Sequence, residues 1–188
     1  IALQIEYSLI ERTVEGELIP MAQELGLGVT PWSPLRGGVL TGKYTRENVD
    51  DAVRWCTSSG PSARRSVRVT KDLDERVFGI IDQLVRISGE LKTSPAAVAL
   101  AWVQAKPGVD STIIGARTLE QLEANLGSLD VALSAAQMNV LDAASTPTLG
   151  FPVRFLEVAN SVMHAGATVD GEPSEVWPML PKTGDEHY

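Results

Sequence analysis

The stretch Thr30-Pro31-Trp32-Ser33-Pro34-Leu35-Arg36-Gly37-Gly38 carries the first pattern that could do chemistry. An aromatic closes a short strand-like run, and a tight Ser/Pro/Gly turn follows. An indole at the carboxyl end of a strand can stack on a flat heterocycle, and the N–H groups of such a turn can meet a pyrophosphate. The competing reading is a buried Trp and an ordinary Pro/Gly turn. A second pattern runs from Ile113 to Asn125. A strand ends at Gly115, the chain turns, and a helix opens at Thr118. The unpaired N–H groups and dipole of that helix favour an anion, and Arg117 adds a fork of donors suited to phosphate. Gln121 and Asn125 stand four apart on one helix face and can read an adenine edge or a ribose. A routine cap with solvated polar residues is the alternative there. Two candidate phosphate sites, each after a parallel strand, strengthen one another.

The elements that must position these residues follow from periodicity. Residues 1–9 alternate in part (Ile1, Leu3, Ile5, Tyr7) and predict a strand. Residues 16–25 predict a helix, ended by Gly26 and Gly28, and Leu27 to Trp32 a second strand; this is strand–helix–parallel strand grammar. Residues 42–71 are polar and irregular, with Gly60-Pro61, Arg64, Arg65 and Arg68, and predict a loop with a short helix near 49–56. Val77, Ile80, Ile81, Leu84, Ile87 and Leu91 recur at helical spacing over 72–91, with Asp72 and Glu75 placed like a capping box. Ser94-Pro95 starts a helix through Gln104 that Pro107-Gly108 ends. Residues 110–115 predict a third strand. Thr118 with Gln121, and Ser134 with Gln137, predict boxed caps on two more helices, the second running to about Ala144. Residues 151–164 predict one more helix, and 165–188 an extended tail.

The chain has 188 residues, 16 Lys+Arg against 24 Asp+Glu, and a net charge of −8. Its 44% hydrophobic and 21% charged content is that of a globular chain with a real core. Such acidity is poor for general binding of nucleic-acid phosphate, so no nucleic-acid partner is expected. No apolar run approaches the ~20 residues of a membrane span, so no membrane partner is expected either. The opening IALQIEYSLIER has no basic region ahead of its apolar residues, unlike a secretory signal, although the chain does not open with Met. The single cysteine, Cys56, permits no internal disulfide and fits a reducing compartment, so a cytoplasmic location is expected.

Four segments carry a resemblance: QIEYSLIER at 4–12, GLGVTPWSPLRGGVLTGKY at 26–44, VALAWV at 98–103 and STIIGARTLEQLEANL at 111–126. In order and spacing the chain resembles the carboxyl-terminal part of an aldo-keto reductase, in the branch with the bacterial reductases and the potassium-channel β subunits. The resemblance covers most of residues 1–145. It implies an α/β fold: a partial (β/α) TIM-type barrel corresponding to about strands 6–8 with their helices, plus a C-terminal tail. A complete barrel takes about 250 residues. Residues 1–150 would be the partial barrel that binds NADP(H), and 151–188 a helix and extended tail. Gln4 matches the glutamine that bonds the nicotinamide carboxamide, and Trp32 the aromatic that stacks on the nicotinamide. Ser33, Pro34, Leu35 and Gly37 fall in the loop around the pyrophosphate, and Lys43 matches a lysine near the phosphates. Gly115 and Arg117 match the 2′-phosphate site, and Gln121 and Asn125 the adenine edge. Ala124 departs from the acidic residue common before that Asn. Arg117 favours NADP(H) over NAD(H). No metal is implied.

The family's proton donor Tyr, its tuning Lys and Asp, and its His come from the first half of the barrel, so the resemblance supplies no catalytic residue here. Tyr7 lies on the strand of Gln4, but three positions on, so alternation turns it to the opposite face and favours a packing role. His164 and His187 read as surface or tail residues. General acid–base help is worth about 10²–10⁴-fold, so reduction of a small carbonyl substrate could persist weakly without the usual tetrad. The alternatives are a non-catalytic NADP(H)-binding or regulatory module, and a fragment of a full-length reductase. Three parallel strands leave open edges and a bare inner face. Self-association is expected to cover them, or an inward fold of the tail through Phe151, Phe155, Leu156, Val158, Val162, Trp177 and Met179.

Overall fold

The computed structural model describes residues 1–49, 73–164, 166–169 and 171–173. The expected short helix near 49–56, Asp72, and most of the tail lie outside them. The chain divides into two compact units, Ile1–Pro147 and Thr148–Tyr188.

In the first unit, β1 (Ala2–Glu6) pairs in parallel with β2 (Gly28–Trp32). Helix α1 (Leu18–Glu24) connects them, preceded by a 3-10 turn at Thr13–Gly16. The register sets Gln4 beside Thr30 and Glu6 beside Trp32. Strand alternation then gives the sheet two unlike faces. Ile5, Tyr7 and Val29 enter the main core with Leu84, Trp102 and Leu141, whereas Gln4, Glu6, Thr30 and Trp32 share the other face. Gly26, at φ +63, makes the left-handed turn after α1. Gly28 instead opens β2, where a Cβ would come within 3.1 Å of Asp110 Oδ2.

The expected third strand at 110–115 forms only in part. Val109 bridges Val29, and the N–H groups of Asp110 and Ile113 donate to the carbonyls of Val29 (3.0 Å) and Pro31 (2.8 Å). The segment therefore runs parallel beside β2 without a continuous ladder. The cause lies in the donors of β2. The Val29 N–H is taken by the Asp110 carboxylate at 2.8 Å, and Pro31 has no N–H to give.

Helix α2 (Glu75–Leu91) is capped by Asp74, not Asp72: its backbone is extended and its side chain accepts from the Val77 N–H at 2.8 Å. Its apolar stripe, including Ile80, Leu84 and Ile87, faces the core. Helix α3 (Pro95–Gln104) has the expected Ser94 cap and first-position proline, and Ala97 to Val103 are all buried, as befits a helix apolar on every side. Helix α4 (Leu119–Leu126) starts at Thr118, whose Oγ1 accepts from the Gln121 N–H. Only half of the expected box forms, because the Gln121 side chain reaches past Thr118 to the Arg117 N–H. Helix α5 (Ala135–Ala144) has the complete Ser134/Gln137 box.

The second unit contains α6 (Val153–His164) and a hairpin of β3 (Thr168–Val169) with β4 (Glu172–Pro173). Phe151, Phe155 and Leu156 are exposed. The side chains of Val158, Val162, Trp177 and Met179 lie outside the described set. Among the described residues no helix is long and apolar enough to cross a membrane.

Candidate functional site

Both turns singled out above lie at the same end of the sheet, because the segments leading into them run parallel. The first turn begins where β2 ends. Gln4 is exposed on the face opposite the core, and Trp32, half-buried, stands on that face two residues beyond Thr30, the partner of Gln4. After Trp32 the backbone turns left-handed repeatedly, at Ser33 (φ 56), Arg36 (φ 48), Gly37 (φ 62) and Gly38 (φ 96). Glycine adopts this conformation freely, while Ser33 and Arg36 adopt it against their Cβ. The turn is closed by hydrogen bonds from the Arg36 N–H to the Ser33 carbonyl and from the Gly38 N–H to the Leu35 carbonyl, both 2.9 Å. Pro34 is buried, and Leu35 packs against the main core, so the turn is anchored from beneath. Lys43 is exposed over the Tyr44 ring, its Nζ 3.2 Å from where a Cβ on Gly38 would stand. A left-handed, glycine-rich turn beside a lysine ammonium has the chemistry to hold phosphate oxygens.

The second turn, 115–118, is braced by the residues expected to read an adenine. The Asn125 side chain is buried and its Nδ2 donates to the Gly115 carbonyl at 3.4 Å. The Gln121 side-chain carbonyl accepts from the Arg117 N–H at 3.0 Å. Both amides thus shape the loop itself. The Arg117 side chain is exposed beside the N-terminus of α4.

Tyr7 is fully buried on the core side of β1, packed against Trp102 with ring centroids 5.5 Å apart. Its hydroxyl donates to Glu15 Oε1 at 2.5 Å. Burial, then this carboxylate neighbour, pushes the phenol pKa well above its ordinary value. Burial opposes the charge on Glu15, but hydrogen bonds from Arg12 and Tyr7 and the nearby Arg12 and Lys106 charges hold that carboxyl below its usual range. Arg12 grips Glu15 through both oxygens at 2.8 Å, and its Nη1 donates to the Asp142 carbonyl and Ser145 Oγ. This cluster is a structural clamp on the far side of the sheet from Gln4 and Trp32. Tyr7 is accordingly no proton donor to that face.

Arg36 stands in the turn with no role that its sequence context announces. In the structure its Nη1 lies 2.6 Å from Glu6 Oε1, with the two side chains only 16% and 18% exposed. The readable signal was Glu6, two residues after Gln4 and so on the same face.

Residues 1–146 match the model of the aldo/keto reductase family. The chain belongs to this family. An aldo/keto reductase fold is a (β/α) barrel, and the parallel pair with its helices is an α/β arrangement consistent with part of one. The chain is 37% identical over 139 residues to an uncharacterized oxidoreductase of Bacillus subtilis, covering 74% of this chain and 38% of that protein. It is 40% identical over 130 residues to a probable voltage-gated potassium channel subunit beta of Oryza sativa, covering 68% and 38%. It is 27% identical over 139 residues to the NADH-specific methylglyoxal reductase of Escherichia coli, covering 74% and 40%. This aldo/keto reductase chain therefore spans about two fifths of the length of these relatives.

Proposed function

We propose that the chain is the cofactor-binding part of an NADPH-dependent reductase of small aldehydes or ketones, built on strands six to eight of the barrel and working in the cytoplasm. The observation that supports this best is the single face shared by Gln4 and Trp32, running into the left-handed Ser33–Gly38 turn. The residues fit the group. Gln4 can bond a carboxamide, Trp32 can stack on the nicotinamide, and Ser33, Leu35 and Gly37 with Lys43 can hold the pyrophosphate on a loop that the buried Pro34 shapes from beneath. Gly115 and Arg117 can take the 2′-phosphate, with Gln121 and Asn125 shaping the loop under the adenosine. A bound nicotinamide supplies a hydride; this chain's residues supply position and electrostatics. Self-association to cover open strand edges belongs to the same proposal.

A second reading is a non-catalytic NADP(H)-binding module. It is favoured by the burial of Tyr7 against Glu15, which leaves the Gln4 face without a tyrosine among the described residues. One experiment separates the two. NADPH and NADH are titrated by tryptophan quenching, then NADPH loss is followed with methylglyoxal and an aromatic aldehyde. Turnover supports the reductase, binding without turnover the module, and no binding of either nucleotide defeats both. Arg117→Ala is expected to weaken NADPH more than NADH, by about 1.5–3 kcal/mol for a lost charge-assisted contact. Equal weakening, or an initial preference for NADH like that named for the Escherichia coli relative, refutes the 2′-phosphate role.

A further inference from the structure

We propose that Glu6 is a positioning residue that clasps the Ser33–Gly38 turn in its left-handed form by holding Arg36. The inference rests on the reading of that turn as a pyrophosphate cradle and adds how the cradle is kept in shape. Three consecutive residues, Arg36, Gly37 and Gly38, have φ of 48°, 62° and 96°. Two are glycines, for which this backbone is free of steric cost. Arg36 is the one with a Cβ, so its conformation needs compensation from elsewhere.

Glu6 offers that compensation from a fixed point. It ends β1, is registered against Trp32, and the next N–H, of Tyr7, donates to the Trp32 carbonyl at 3.3 Å. Arg36 comes four residues after Trp32, and its guanidinium returns to within 2.6 Å of the Glu6 carboxylate. With both side chains mostly sheltered from water, the pair is screened less than an exposed one. The ion pair therefore ties the free end of the turn to the strand that carries Gln4. The residue opposite the proposed stacking ring and the turn proposed to hold the phosphates are made one rigid piece. The pair also leaves the guanidinium already engaged, so Arg36 serves the cradle by shape and not as a phosphate ligand.

The test uses Glu6→Gln, Arg36→Gly and the double variant in the whole chain. Glycine removes the steric need for a clasp at position 36, so Arg36→Gly keeps the turn without the ion pair. Hydrogen exchange without cofactor reads the Gly38 and Leu40 N–H groups, which bond the Leu35 carbonyl. Glu6→Gln should speed exchange there about five- to tenfold while leaving α3 unchanged, and Arg36→Gly should change it little. NADPH Kd should rise by a similar factor in Glu6→Gln and stay near the parent in Arg36→Gly, with no further loss in the double variant. Unchanged exchange in Glu6→Gln overturns the clasp. So does tighter NADPH binding in Glu6→Gln with weaker binding in Arg36→Gly, which would make Arg36 a direct phosphate ligand. If the parent chain binds neither nucleotide, the reductase reading fails, and exchange at Gly38 still decides the clasp.

Discussion

The phenol of Tyr7 and the carboxylate of Glu15 share one short hydrogen bond inside the clamp made by Arg12, Lys106 and Asp142. Their shifts have opposite pH consequences. The Tyr7 pKa is raised by folding, so its contribution is complete below the ordinary phenol value of about 10 and is lost as pH rises beyond it. The Glu15 pKa is lowered, so its contribution is complete above the ordinary carboxyl value of about 4.5 and is lost as pH falls below it. Tyr7→Phe should cost about 1.5–3 kcal/mol at neutral pH, the worth of a hydrogen bond to a charged group, and flatten the alkaline limb of the stability curve. Glu15→Gln should cost about 3 kcal/mol at neutral pH by leaving Arg12 short of its partner, with the deficit shrinking in acid. Urea unfolding across pH measures both. Nucleotide affinity should be unchanged in Tyr7→Phe; a large loss would return Tyr7 to the site. At this scale the sequence was informative about which side of β1 Tyr7 occupies, because strand alternation decides it. It was silent on Glu15, whose reach to Tyr7 depends on a 3-10 turn that no pattern announces.

Helices and turns were more legible than strands, for a physical reason. A cap is local: Ser94 with Pro95 and Ser134 with Gln137 form their bonds within three residues, and the structure has both. Asp74 won over Asp72 for the same local reason, being the residue whose extended backbone directly precedes the helix. A strand needs donors from a neighbour. The 110–115 segment has the composition of a strand, yet Pro31 and the Asp110–Val29 bond remove the donors it requires. The proline was visible in sequence; the side-chain substitution depended on tertiary placement. Gly42 shows a different kind of element-level constraint. It closes the kinked stretch Arg36–Thr41 at φ +77, and a Cβ there would stand 2.9 Å from the Pro95 ring at the start of α3. Gly42→Ala should therefore cost about 1–3 kcal/mol by combining a disfavoured backbone with a clash against a rigid ring. Thermal unfolding checks this, and Gly79→Ala in α2, where a Cβ meets nothing within 4 Å, is the control expected to be neutral or stabilising.

Across the first unit, apolar side chains remain exposed in two stripes. One is Leu18, Met21 and Leu25 at α1; the other is Leu119, Leu122, Leu126 and Leu129 at α4 and just beyond. Both follow the three- and four-residue spacing of a helix face made to be covered. Scattered exposed leucines mean little, but two ordered stripes beside a small parallel sheet predict association. Sedimentation should show concentration-dependent oligomers that Leu122→Glu reduces; a monodisperse monomer would count against self-association. The clamp at Arg12 has its own reach at this scale. Its guanidinium bonds residues 130 and 133 positions away in sequence, at Asp142 and Ser145. Closing so long a loop costs conformational entropy, so these bonds are expected to form late in folding. β1 precedes α5, the last helix of the first unit, by most of that unit's sequence, so Arg12 gains its Asp142 and Ser145 bonds only once α5 has formed. The two ends of the first unit are thereby held by one set of bonds, so Ser145→Ala should loosen the Arg12 end of the unit as well as the end of α5.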